Sequence, residues 1–143
     1  MSDQSESIVR RYFEALNARN LDALDGLVDA EITYHGWEVD GIDQLKAKVA
    51  AVFDGFPDVN IEIEDLVAQD AKVAVRLVVA GHHNGEFEGM AATGRSLRTT
   101  ELNFFHILDG RIREGWQVYN QLDVLTQLGV MDEPEEMTAT ATS

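Results

Sequence analysis

The feature that most constrains this chain is a change of hydrophobic period near residue 57. Before it, apolar residues recur at helical spacing. Ile8, Val9, Tyr12, Phe13 and Leu16 line one side of a first helix starting near Ser5, with Arg10, Arg11 and Glu14 opposite. Asn20 is placed to cap a short second helix carrying Leu21, Leu24, Leu27 and Val28, and Glu31 to His35 reads as a short strand. Leu45, Val49, Val52 and Phe53 mark another helix, with Asp43 as its expected cap and Gly55-Phe56-Pro57-Asp58 as its end. From Val59 the period falls to two, with Val59, Ile61 and Ile63 alternating with Asn60, Glu62 and Glu64. Val73 to Ala80 is nearly continuously apolar, as in a strand covered on both faces. Two longer strands, Leu97 to Leu108 and Arg111 to Tyr119, are joined by the hairpin signal Asp109-Gly110. Helices followed by a meander predict an α+β fold in which the helices pack on one face of a curved antiparallel sheet.

The length of 143 residues fits one domain, expected over residues 1–130, and a 45% hydrophobic content supplies its core. The tail 131–143 has neither periodicity nor apolar content and is expected to be disordered. No apolar run approaches the roughly 18 residues of a membrane helix, and the polar, acidic start is unlike a signal peptide, so a cytoplasmic location without membrane contact is expected. The absence of cysteine removes disulfides, thiolate nucleophiles and cysteine-ligated metals. A net charge of -15 opposes a nucleic-acid partner, which requires a basic footprint. Spread-out acids suit a salt-adapted surface, although an ordinary acidic cytosolic protein has the same composition.

A turn at Asp109-Gly110 pairs Leu108 with Arg111. Uninterrupted register then sets Glu101 opposite Val118, Asn103 opposite Trp116 and Phe105 opposite Glu114. One face is expected to carry Thr99, Glu101, Asn103, Phe105, Glu114, Trp116, Val118 and Asn120, and the other Leu102, Phe104, His106, Leu108 and Tyr119. Polar groups among large apolar ones need partners or water, and a pocket supplies both. The first face is therefore the expected wall of a cavity for a small, largely apolar ligand or substrate, with Tyr12 of the first helix added. The second face is apolar enough to predict a homodimer through the outer sheet. His82 and His83, adjacent in a strand, point to opposite faces and cannot jointly hold a metal, so no metal site is expected. Dinucleotide, phosphate-loop, zinc-protease and nucleophile-elbow motifs are absent.

The run G-H-H-N-G-E-F-E-G at residues 81–89, T-G-R at 93–95, D-G-R-I at 109–112, E-G-W at 114–116 and Q-L-G at 127–129 resembles the SnoaL-like polyketide cyclases, often labelled ester cyclases. Tyr34-His35-Gly36 and Phe56-Pro57-Asp58 fit the same pattern, and the likeness covers approximately residues 5–130. It implies a cone-shaped α+β barrel of the cystatin-like or nuclear transport factor 2-like kind, usually dimeric and without a cofactor. It also favours His35 and His83 as pocket residues. The family's cyclases close a ring by intramolecular aldol condensation, using an aspartate four residues after a tryptophan. Here that position is Asn120, which cannot accept a proton at neutral pH. The base is then Glu101, a histidine such as His35, or Asp123, or the pocket binds without catalysis. Asn120 and Asn103 are expected to orient the ligand, and Trp116, Phe105 and Val118 to wall it.

Overall fold

The computed structural model describes residues 2–131, so most of the tail expected to be disordered lies outside the described residues. Helix α1 (Ser2–Asn17) buries Ile8, Val9, Tyr12, Phe13 and Leu16, the apolar stripe read from the sequence. Its end is fixed to the sheet edge. The Asn17 amide donates to the Ile61 carbonyl at 2.8 Å, and the Ile61 N–H donates back to Asn17 Oδ1 at 2.9 Å. The segment Leu21–Gly26 is a 3-10 turn rather than an α-helix, with Asn20 accepting from the Ala23 N–H. Helix α2 (Ile42–Gly55) starts at Gly41, and Asp43 lies in its first turn instead of capping it.

Six strands form one curved, unclosed sheet: β1 (Val28–His35), β2 (Val39–Asp40), β3 (Asn60–Gln69), β4 (Lys72–His82), β5 (Ser96–Leu108) and β6 (Arg111–Tyr119). Their spatial order is β2-β1-β6-β5-β4-β3. The sheet is mixed, because β1 runs parallel to β6 while the other pairs are antiparallel. A further short helix, α3 (Gln121–Gln127), follows β6 and had no clear sequence signal. The helices cover the concave face, where Tyr12, Phe13, Val73, Val75, Leu77, Phe105 and Ile112 share one core. On β4, Lys72, Ala74 and Arg76 of the convex face are exposed while Val78 is buried, so the strand is covered on both sides only in its second half, not throughout as its apolar run suggested.

One local irregularity decides which side chains face inward. The turn at Asp109 (φ 51°) and Gly110 (φ 77°) forms as expected, and Ile107 pairs with Ile112. The next pair is His106 with Glu114, so Arg113 is an extra residue, a β-bulge, and its guanidinium donates to the Glu31 carbonyl at 2.7 Å. Beyond the bulge Glu101 lies opposite Tyr119, Asn103 opposite Gln117 and Phe105 opposite Gly115. The expected pairings with Val118, Trp116 and Glu114 are each displaced by one residue, which turns every β6 side chain past Arg113 to the other face.

Candidate functional site

The inward positions of β5 form a row from the narrow end of the core to its open end: Phe105, Asn103, Glu101, Thr99 and Leu97. Beside them, α1, α2 and β1 enclose a cavity of about 160 Å³. An apolar hollow of roughly this size accommodates a single aromatic ring. Aromatic and aliphatic side chains supply most of the wall, among them Phe13, Trp37, Phe53, Phe56 and Leu77. The rim is formed by Phe87 and Glu88 from the β4–β5 loop, Tyr119 from β6 and Val124 from α3.

Polar groups concentrate at Glu101 and Asn103. The Tyr34 hydroxyl donates to Asn103 Oδ1. The other end of that amide, Nδ2, is buried and has no hydrogen-bond partner among the described residues. Burial pushes the Glu101 carboxyl above its ordinary value, and the nearby Asn103 amide opposes part of that rise. Tyr12 is shifted upward by burial and then by Glu101, while Tyr34 is shifted upward by burial, Tyr12 and Glu101 in that order. Both phenols therefore keep their protons and remain donors. The site thus places a desolvated carboxyl and a buried amide N–H two residues apart on the same face of one strand, near enough for the amide to act on the carboxyl.

Glu101, Asn103 and Tyr12 are brought together on this cavity; the six other candidates do not line it. Trp116 and Val118 face outward because of the Arg113 bulge. His35 is on the same outer face, stacked on Trp116 with ring centroids 5.1 Å apart and Nε2 2.7 Å from Glu114 Oε2. Asn120 has left the sheet to cap α3, its Oδ1 accepting from the Asp123 N–H at 3.0 Å. His83 is fully buried one layer behind the wall, stacked on Phe56 with Nδ1 3.0 Å from Thr93 Oγ1. Phe105 closes the narrow end by packing its ring against Tyr12, Phe13 and Tyr34. The sequence reading missed Gln117 and Tyr119 on the wall, and Tyr34 as the partner of Asn103. Gly115 was the available signal. A Cβ there would stand 3.2 Å from the Phe105 ring and 3.3 Å from the Tyr34 ring, so this position faces inward.

Among the described residues no group of three His, Asp or Glu side chains gathers to hold a metal ion, and no helix is long and apolar enough to cross a membrane.

A family model described as SnoaL-like polyketide cyclase matches residues 6–128. The chain belongs to that family. Among curated SnoaL-like relatives, the aklanonic acid methyl ester cyclase DnrD of Streptomyces peucetius is 28% identical over 135 residues, covering 90% of this chain and 92% of its own. The aklanonic acid methyl ester cyclase AcmA of Streptomyces galilaeus is 30% identical over 118 residues, or 78% and 81% of the two chains. The structure of AclR from Streptomyces galilaeus superposes with a TM-score of 0.83 at 23% identity, over 99% of this chain and 91% of that one, a likeness of fold.

Proposed function

We propose that this SnoaL-like protein binds a small, largely apolar carbonyl compound in the cavity above Glu101 and catalyses proton abstraction beside the carbonyl, leading to aldol or isomerisation chemistry without a cofactor. The observation that carries this reading is the pairing of Glu101 with the unpartnered Asn103 Nδ2. A substrate oxygen accepting from that N–H gains a donor where negative charge develops as the neighbouring C–H is broken. The Glu101 carboxylate, made more basic by burial, takes the proton. Tyr34 holds Asn103 Oδ1 and so fixes which end of the amide faces the substrate. The curated relatives are named as cyclases of a methyl ester, which accords with a neutral carbonyl substrate.

The test is α-proton exchange. With 1-indanone in heavy water followed by proton NMR, the native chain accelerates deuterium uptake, and Glu101→Gln lowers the rate by about 10²- to 10⁴-fold. Exchange unaffected by that substitution removes Glu101 as the base.

A second reading is binding without chemistry, favoured by Asn120, which stands where the family pattern has an acid and serves here as a helix cap. Asp caps a helix as well as Asn does, so Asn120→Asp folds and separates the two readings. Binding of 1-indanone with no exchange in either the native chain or that variant assigns the native chain a binding role.

We also propose that the outer sheet face pairs with a second copy of the chain. Supporting this, Val67 and Val118 are each 66% exposed and Leu102 is 55% exposed, forming with Phe104 and Trp116 a patch across β3, β5 and β6. A twofold axis would lay this apolar surface on itself.

A further inference from the structure

The charged side chains of the cavity are all of one sign. Among the described residues two carboxylates line it, Glu101 within and Glu88 at the rim, and no Lys, Arg or His does so. Residues 132–143 contain no Lys, Arg or His. Two guanidiniums near the wall lie outside the lining. Arg19 lies over the Phe53 ring at 4.2 Å and donates to the carbonyls of Pro57 and Val59, while Arg95 packs against Gly129.

Glu88 is held at the rim by its backbone. Phe87 and Met90 exchange hydrogen bonds of 3.0 and 2.8 Å across a turn in which Glu88 (φ 49°) and Gly89 (φ 80°) are both left-handed. The loop is seated on the end of α2, where the Gly85 N–H donates to the Gly55 carbonyl at 3.1 Å, and a Cβ at Gly85 would overlap the Asp54 carbonyl oxygen at 1.9 Å. Tyr119 shares the rim, and after burial its phenol is pushed upward by Glu88 and then by Glu101, so both carboxylates act on the same opening.

We infer that the cavity is a charge filter, admitting uncharged carbonyl compounds and excluding those with a free carboxylate or phosphate, and that Glu88 is the rim residue that sets this discrimination. The inference rests on the reading that an apolar carbonyl compound occupies the cavity. An entering anion would give up water, find no counter-charge and meet a like charge at the mouth. A neutral ester of the same shape meets none of these costs.

Methyl benzoate and benzoate carry the same single aromatic ring without and with charge, a size the cavity takes. Titrated calorimetrically into the full chain, the ester binds and the carboxylate binds at least about ten-fold more weakly, the penalty of one like charge in a partly desolvated site. Glu88→Gln, a change at an exposed side chain, narrows that gap by improving carboxylate binding more than ester binding. Added salt narrows the native gap in the same direction. Equal affinity of the native chain for the two probes overturns the filter, and a gap unchanged by Glu88→Gln overturns the role of Glu88. Failure of the ester itself to bind overturns the reading of the cavity, and the filter with it.

Discussion

Glu101 and Asn103 were legible in the sequence because they lie on β5, where strict alternation from Leu97 to Ile107 sets the inward face regardless of the neighbouring strand. What alternation did not show is how the two differ. Asn103 is anchored by Tyr34, whereas Glu101 is left in the cavity with a penalty on its charged form. That difference has a pH signature. The folded chain holds the Glu101 proton to higher pH than the unfolded chain, whose carboxyl titrates near 4.5. Within the window between 4.5 and the raised folded value, the native state binds more protons, so this group makes stability fall as pH rises. Glu101→Gln removes that decline. Urea unfolding from about pH 4 to pH 8 is therefore expected to show the variant gaining on the native chain across the window and keeping its advantage above it. Parallel profiles would show that Glu101 is not desolvated. Native exchange activity should rise over the same window, since the base must first lose its proton.

At the scale of elements, the β5–β6 hairpin shows where periodicity stops being informative. E-G-W-Q-V-Y alternates in either register, and one extra residue at Arg113 chooses between them without altering the pattern. The expected wall of Trp116, Val118 and Asn120 was therefore exchanged for Gln117 and Tyr119. Helix α3 escaped notice because its seven residues bury none of their number, leaving no stripe to detect. The same geometry predicts the effect of adding one methyl group at Gly115. Phe105 and Tyr34 are both buried and packed against each other, so neither ring can move aside for a Cβ. Gly115→Ala is expected to cost about 1–3 kcal/mol in urea unfolding, as overpacking of a filled core does. A change within a few tenths of a kcal/mol would indicate that β6 does not face inward at this residue.

For the whole molecule, the order of helices and strands was sufficient to place the chain in its fold class, because layer packing allows few arrangements for helices followed by a meander. The parallel β1–β6 pair was not legible, since it joins segments distant in sequence through backbone hydrogen bonds that leave no composition signature. If a second copy covers Leu102, Phe104 and Val118, light scattering gives twice the mass of the 15.9 kDa chain, and Leu102→Asp with Val118→Asp gives the single-chain mass without loss of fold. A native chain that is monomeric at micromolar concentration contradicts that assembly. The cavity opens on the other side of the sheet, so its chemistry stands or falls separately. Its most direct test is a crystal structure of the chain with 1-indanone bound. The account predicts the ketone oxygen within hydrogen-bonding distance of Asn103 Nδ2 and the neighbouring methylene turned toward the Glu101 carboxylate. A ketone seated instead against the His35–Trp116 stack or beside Asn120, with the Glu101 cavity closed to it, would contradict the account.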